Sequence, residues 1–390
     1  MKMTQYLKWK ADSSKGEVFT PIGLVNEMLD EIPEEVWRNP IATFLDPCMG
    51  KGTFLLEIVR RLTYIYGYTE DDAKSRVYGY DIRVKYINHL TRRGLKNIRH
   101  KDFLNEVIDM EFDVVLGNPP YQKKVGPRKT EAIWNKFVTK ILTITKEGGY
   151  VSLIHPSGWR NISGNFKEVQ NKYKEKNLIS LKMYSDVDGM KIFNASINFD
   201  WFILKNEPNN NQTTEIYSYD GTKYDRNISN MDFIPNGKFD EINSLIAKEG
   251  EEKVDIIFSF SDYETRKSHM SKNSNEEFIY PCVCNVAKDE SITLMYSNTN
   301  QKGHFGTPKL ICGGASSGSN FFIDENGSYG ITQFSFGIVE ESKNLINLKR
   351  AMKSLKFQEI VRNIPNNSQA INYKILSNFR KDFWKEFIDD

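Results

Sequence analysis

The sequence predicts an α/β domain built on a largely parallel sheet, followed by a second region of α+β character. Three observations carry this reading. Short apolar runs alternate with amphipathic stretches of helical period from about residue 41 onward. A glycine-rich loop bearing an acid sits where the first such run meets the first such helix. The alternation then stops at a polar, Asn-rich stretch, "KNEPNNNQTTE" (205–215), and does not resume.

Taken in order, "IATFLD" reads as a buried strand, and "GTFLLEIVRRLTYIYG" as a helix with Phe54, Leu55, Ile58, Val59 and Leu62 on one stripe. "RVYGYDI" is a second strand and "VKYINHLTRRGL" a second helix. "DVVLGN" is a third strand. "EAIWNKFVTKILTIT" is an amphipathic helix, expected to stop at Gly148-Gly149. "YVSLIHP" and "INFDWFILK" complete the strands. The stretch 205–215 reads as a linker, which divides the chain into 1–205 and 206–390. Beyond it, "FDEINSLIAKEGEE" is helical, "ICGGASSGSNFFIDENGSYGITQFSFGIV" suggests hairpins, and the end of the chain is helical again.

Composition sets the outer limits. With 390 residues the chain exceeds one ordinary core, and no run approaches the roughly 18 apolar residues of a membrane span. The N-terminal residues lack the apolar core of a secretory signal, so a cytoplasmic location and no membrane partner are expected. Four cysteines, Cys48, Cys282, Cys284 and Cys312, fit neither a disulfide framework nor zinc spacing, so free thiols and no metal are expected. The net charge of +2 is unevenly spread. Residues 1–205 hold 32 Lys+Arg against 25 Asp+Glu, and the remainder hold 21 against 26. A polyanion would be gripped mainly by the first half or by a local basic strip.

The loop "FLDPCMGKGTFL" is where the chemistry begins. It is not a phosphate-binding P-loop, because Lys51 is followed by Gly52 rather than Ser or Thr. Nor is it a dinucleotide fingerprint, since the third glycine position is Leu55. An acid just before the turn, Asp46, repels phosphate and suits a cationic ligand. Asp81, in "GYDI", is placed to accept hydrogen bonds from a ribose diol. Asp102, in "KDFL", could meet an adenine amino group, with Phe103 on the ring. Each acid alone is more often a capping or turn residue. In this order they describe a pocket for S-adenosylmethionine, whose sulfonium and amino groups are positive.

With "DPCMGKGTFL", "GYDI", "KDFL" and "GNPPY" in succession, the sequence resembles the γ class of adenine-N6 DNA methyltransferases, the modification enzymes of bacterial restriction systems. "GEVFTP", "EGGYVSLIHPSGW" and "IFNASINFDWFILKN" extend the resemblance over roughly residues 15–206. It implies a Rossmann-like S-adenosylmethionine-dependent methyltransferase fold over 1–205 and an α+β target-recognition domain over 206–390. It also implies a cofactor site of Phe19, Thr20, Pro21, Asp46, Pro47, Cys48, Gly50, Gly52, Asp81, Ile82, Asp102, Phe103 and Asn118. Asn118, Pro119, Pro120 and Tyr121 would be catalytic, and Phe193 in "KIFNAS" would face Tyr121 across the target base. Without the family, Phe193 reads as core, and His155 reads as structural in either case.

The residues make chemical sense of those roles. Adenine N6 is a poor nucleophile because its lone pair is delocalised into the ring. The Asn118 side-chain carbonyl and the Pro119 backbone carbonyl can accept its two hydrogens and draw it toward tetrahedral geometry. Asn is a neutral acceptor that needs no counter-cation in a desolvated pocket. Methyl transfer is then expected to be direct displacement, without a covalent enzyme intermediate. A target adenine in duplex DNA must be flipped out to reach this site. "QKKVGPRKT" supplies Lys123, Lys124, Arg128 and Lys129 as candidate phosphate contacts, although such runs are as often plain surface. Lys302, His304, Lys309, Ser316, Ser317 and Asn320 are candidates for reading base edges. No PD-(D/E)xK-like segment precedes the cofactor motifs, so any cognate endonuclease is expected on a separate chain. The other reading of Asn-Pro-Pro-Tyr is an N-methyltransferase for protein glutamine or an RNA base; the large region after 206 favours DNA.

Overall fold

A computed structural model describes residues 18–127, 129–162, 164–258, 262–313, 320–365 and 371–388. The described residues fall into two compact units. The first runs to Trp159 and again over Gly164–Met231; the second takes Arg160–Ser163 and the chain from Asp232. Among the described residues no helix is long and apolar enough to cross a membrane.

The first unit opens with α1 (Ile22–Asp30), α2 (Glu34–Arg38), β1 (Phe44–Asp46), α3 (Thr53–Tyr64), α4 (Glu70–Ser75) and β2 (Val77–Asp81). α5 (Val84–Thr91), β3 (Ile98–His100), β4 (Phe112–Gly117) and the hairpin strands β5 (Gln122–Lys124) and β6 (Thr130–Ala132) follow. It closes with α6 (Trp134–Ile144), β7 (Thr145–Pro156), α7 (Lys167–Glu175), β8 (Lys176–Tyr184), α8 (Asp186–Phe193), β9 (Phe199–Pro208), β10 (Thr214–Tyr217) and β11 (Lys223–Arg226). Nine of these strands form one sheet in the order β11-β10-β8-β9-β7-β4-β1-β2-β3. Only β9 and β11 run against the rest. The chain leaves β1 toward β2 and β3, then returns to place β4 on the other flank of β1. The carboxyl ends of β1 and β4 therefore bracket the point where strand order reverses, which is where open α/β sheets bind ligands.

Burial explains the strands. β1 is buried at all three positions and β9 at its first six, as expected of strands covered on both faces. In α3 the five apolar residues picked out by spacing are buried, and so are Glu57 and Arg61. Glu57 accepts from Arg60 at 2.7 Å and Arg61 at 3.1 Å, while Arg61 reaches Asp30 at 2.7 Å. On its other side α1 is held by Lys182 to Glu31 at 3.0 Å and by the Tyr184 hydroxyl to Glu27 at 3.1 Å. These ties hold the middle and C-terminal end of α1, and at its start the Val25 amide donates to the carbonyl of Pro21, the last residue of the Phe19-Thr20-Pro21 segment that leads in, at 3.1 Å.

Three expectations change. α6 ends at Ile144, and Gly148-Gly149 lie inside β7 rather than capping a helix. A Cβ on Gly149 would sit 2.9 Å from the Asp113 carbonyl, so the strand needs glycine there. The stretch 205–215 is not a linker. β9 continues to Pro208, Asn210 and Asn211 turn the chain at positive φ (48° and 61°), and β10 rejoins the sheet. The Asn209 side chain bonds the Lys174 carbonyl at 3.1 Å and Ser229 Oγ at 2.9 Å, and the unit ends only after Met231. "QKKVGPRKT", finally, is a β-hairpin around a Gly126-Pro127 turn, not an open loop.

The second unit has α9 (Phe239–Leu245), β12 (Asp255–Ile257), β13 (Met270–Ser271), β14 (Tyr280–Val286), β15 (Ile292–Ser297) and β16 (Lys309–Gly313). After these come β17 (Phe321–Asp324), β18 (Gly330–Ile331), β19 (Ser335–Val339), α10 (Leu345–Lys353), α11 (Leu355–Asn363) and α12 (Tyr373–Leu376). Two four-stranded sheets, β12-β19-β16-β17 and β13-β15-β14-β18, make it an α+β unit. An aromatic core that includes Phe336, Phe357, Phe379, Phe383, Trp384 and Phe387 joins the first sheet to the helices. All four cysteines are free thiols.

Several candidate base readers prove structural. Lys309 is fully buried on β16, paired with Asp324 at 2.7 Å and donating to the His304 and Thr307 carbonyls. His304 is buried, its Nδ1 accepts from the Ile331 amide at 3.2 Å, and burial lowers its pKa to about 4. Asn320 donates to the Val286 carbonyl at 3.1 Å. Lys302 is exposed, and Ser316 and Ser317 lie outside the described residues. Replacing Lys309 by Met leaves the Asp324 carboxylate buried with only the Ser328 and Tyr329 amides as partners. We expect a loss of about 3–5 kcal/mol in urea unfolding, largely recovered by adding Asp324→Leu; an unchanged midpoint would show the pair to be dispensable.

Candidate active site

Three segments far apart in sequence meet at the ends of β1 and β4. The strands pair in parallel, Leu45 with Val115, which brings Asp46 alongside the end of β4. The approach is so close that a Cβ on Gly117 would lie 2.8 Å from Asp46 Oδ1, so only glycine fits before Asn118. The third segment is the lead-in to α1. Asn118 Nδ2 donates to Thr20 Oγ1 at 3.3 Å, and Lys51, in the glycine loop, sits 4.6 Å above the Phe19 ring. Phe19 also meets Tyr86 of α5 edge-on at 6.4 Å. The structure thus joins Phe19, Thr20, Asp46 and Asn118 at the ends of β1 and β4.

The glycine loop is locked by its own hydrogen bonds. Asp46 Oδ1 accepts from the Cys48 amide at 3.0 Å, and Asp81 Oδ2 accepts from the Gly50 amide at 3.0 Å. Asp81 Oδ1 takes the Arg83 amide at 2.8 Å. Gly50 and Gly52 have φ of +51° and +80°, a region that favours glycine. A Cβ on Gly50 would meet nothing within 4 Å, so the loop opens onto space there. At the end of β2, Ile82 is 64% exposed, an uncovered aliphatic side chain beside Asp81.

Burial dominates the electrostatics. Asp46 is 2% exposed, and loss of water raises its carboxyl to about 7, with the nearby Asp81 charge adding to the effect and the Cys48 amide opposing it. The Cys48 thiol is pushed well up by burial and by both carboxylates, which keeps it a neutral wall.

The residues after Asn118 divide. Pro119 is buried and Pro120 half-buried. Tyr121 has a half-buried ring, while its hydroxyl is buried with no hydrogen-bond partner among the described residues. Burial, then the neighbouring Asp200 and Cys48, raise the Tyr121 pKa. Asp200 is itself fully buried on β9 and accepts from Trp159 Nε1 at 2.8 Å. Asp200 does not stand out in the sequence, whereas Gly117 closes an apolar strand and opens the Gly-Asn-Pro-Pro-Tyr stretch. His155 is structural, bonded to the Tyr173 hydroxyl at 2.9 Å and stacked on Trp134 at 4.5 Å.

Asp102 and Phe103 follow β3 beside the end of β2, where the Lys101 amide donates to the Asp81 carbonyl at 3.2 Å. Asp102 caps the turn that follows, accepting from the Leu104 amide at 3.1 Å and from Asn105 Nδ2 at 2.9 Å. Phe103 is buried in the core, stacked on Phe137 at 5.5 Å and edge-on to Tyr80 at 5.6 Å. Phe193 ends α8 half-buried against Phe199 at 4.9 Å. Lys123, Lys124 and Lys129 are exposed on the hairpin, and Arg128 lies outside the described residues.

A buried acid at this position gives the site a definite pH response. Because the folded-state pKa of Asp46 lies above its ordinary value of 3.8, folding favours the protonated form. Its contribution is fully present below about 4 and is lost as pH rises through about 7. Asp46→Asn should therefore raise the melting temperature of the ligand-free protein more at pH 8 than at pH 5, as read by thermal denaturation. Equal shifts at both pH values would contradict the buried-acid assignment.

Comparison with known proteins agrees with this architecture. Residues 52–193 match the family described as Eco57I restriction-modification methylase. The chain is 29% identical over 132 residues to a type II methyltransferase, M.VspI, of a Vibrio species, covering 33% of this chain and 30% of that protein. It is 23% identical to an uncharacterised adenine-specific methylase of Mycoplasma pneumoniae, over 45% of this chain and 66% of that one. The chain thus covers less than two thirds of either relative. Among solved structures, the type IIL restriction-modification enzyme MmeI, determined in complex with DNA, aligns with 95% of this chain and 66% of its own, at 11% identity and a TM-score of 0.51. The type IIG restriction endonuclease BpuSI aligns with 97% of this chain and 61% of its own, at 12% identity and a TM-score of 0.50. Over residues 52–193 the chain is similar to the Eco57I restriction-modification methylase family, on a Rossmann-like methyltransferase fold, in agreement with the resemblance read from its motifs.

Proposed function

We propose that the chain transfers a methyl group from S-adenosylmethionine to N6 of an adenine flipped out of duplex DNA, as the modification enzyme of a restriction-modification system. One observation carries the proposal: the Asn118 amide nitrogen is engaged by Thr20, and its carbonyl oxygen has no protein donor among the described residues. A neutral acceptor is thereby held at the sheet's switch point, beside a buried acidic loop.

The residues present suit the cofactor. Asp46 and Asp81 flank a glycine turn with open space at Gly50, a set of acceptors that rejects phosphate and receives a cationic ligand with hydroxyl groups. Phe19, Thr20 and Pro21 close one end, Pro47, Cys48 and Gly52 shape the loop, and Ile82 offers an aliphatic face for the adenine ring. Asp102 and Phe103 complete the adenine end in this proposal, the former through the carboxylate that now caps a turn. When bound, S-adenosylmethionine supplies an electrophilic methyl group.

Asn118 Oδ1 and the Pro119 carbonyl accept the two hydrogens of the target amine and localise its lone pair. Pro120 stiffens the turn that carries them. Tyr121 offers its half-buried ring to the extruded base, and Phe193 covers the opposite face. Stacking of about 1–3 kcal/mol per base offsets most of a flipping cost of a few kcal/mol. DNA is favoured over glutamine or RNA by the separate α+β unit, to which we assign target recognition, and by the shared fold with a protein solved on DNA. A cognate endonuclease on another chain belongs to the same proposal.

The test is incubation of the protein with diverse duplex DNA and methyl-labelled cofactor, followed by digestion to nucleosides. Label in N6-methyldeoxyadenosine is the expected result; label confined to protein or RNA would contradict the proposal. Asn118→Ala should lower kcat by about 10²–10³-fold with DNA binding retained, the cost of losing one preorganised hydrogen-bond partner.

A further inference from the structure

The hairpin β5–β6 is an exposed, basic feature of the first unit. Between Asp113 and Glu131 the sequence holds four basic residues and no acid. Both strands are exposed at nearly every position, and they pair with each other rather than with the main sheet. The register sets Lys123 opposite Glu131 and Lys124 opposite Thr130, and the Val125 amide donates to the Lys129 carbonyl at 3.0 Å. Strand alternation then puts Lys123, Val125, Lys129 and Glu131 on one face and Lys124 on the other. Lys123 and Lys129 are diagonal neighbours there, about 7–8 Å apart along the backbone.

One acid on that face could neutralise them, and it is already engaged. Glu131 pairs with Lys136 of α6 at 2.6 Å. Lys136 holds the Glu131 carboxyl below its ordinary range, with smaller contributions from Lys123 and Lys129. Two like charges set diagonally on a bare hairpin repel each other, which the fold tolerates but does not need. An anion with two charges at a similar spacing would relieve the repulsion.

The hairpin's base is fixed. Its first strand starts directly after Tyr121, and the Ile133 amide at the end of the second donates back to the Tyr121 carbonyl at 3.0 Å. Trp134, the next residue, is buried and anchors α6. Whatever the hairpin grips is therefore held in register with the Asn118–Tyr121 turn.

We propose that Lys123 and Lys129 bind two neighbouring phosphates of the DNA strand that carries the target base, so that the hairpin sets the strand's register over the Asn-Pro-Pro-Tyr turn. This rests on the DNA reading above. A phosphate-contacting lysine contributes about one to the slope of log affinity against log salt. Lys123→Gln/Lys129→Gln should bind a duplex oligonucleotide more weakly at low salt, with a salt slope shallower by about two. Glu131→Gln, which removes the face's only acid, should bind several-fold more tightly, and a gain of this kind cannot come from misfolding. An unchanged slope in the double variant, or an unchanged affinity in Glu131→Gln, overturns the proposal if the wild type methylates adenine in DNA. Failure of the wild type to bind duplex DNA at low salt would overturn the DNA reading and this proposal together.

Discussion

The Asn118 side chain is held from one direction, by the Thr20 hydroxyl, and this contact ties together everything the candidate site needs. Thr20 belongs to the segment leading into α1, and α1 is fixed by the Arg61–Asp30 and Lys182–Glu31 pairs to two separate parts of the first unit. Asn118 directly follows β4, whose last residue, Gly117, is pressed against Asp46 of β1 where a side chain would clash. Two strands and one helix thus converge on a single amide. With its nitrogen occupied, that amide presents an acceptor rather than a donor, the half an amine can use.

The electrostatic setting follows from the same packing. Burial that draws β1 and β4 together also removes water from Asp46, which is why its carboxyl is reluctant to ionise without a cation nearby. The site therefore stores an unfavourable desolvation that a positively charged ligand would relieve. Cys48 is neutral and Tyr121 keeps its phenolic proton, so the walls add no competing charge. This arrangement suits a reaction in which the protein orients groups and supplies acceptors.

Much of this was legible in the sequence because it is encoded locally. The acid–glycine loop, the strand ending in Gly117 and the rigid Pro119-Pro120 pair each state their geometry within a few residues. The helix α3 was legible from the spacing of five apolar residues, all of which are buried. What could not be read depends on distant partners. Nothing near Lys309 signals that Asp324 will pair with it in the core. The Asn run at 209–211 has the composition of a linker, yet two left-handed residues and the Asn209 side chain make it a tight turn between sheet strands. Phe103 was read for its ring, and its ring went to the core because Tyr80 and Phe137 meet it there.

The central claim is that Thr20 orients the Asn118 amide for catalysis. The most direct measurement is the single-turnover rate of methyl transfer to DNA, with cofactor and DNA both saturating, for Thr20→Val and Thr20→Ser. Val keeps the shape and removes the hydroxyl, so the rate should fall at least about tenfold, while Ser should restore it, as expected for one hydrogen bond of about 1.4 kcal/mol. A Thr20→Val protein that transfers methyl groups at the wild-type rate would contradict the account.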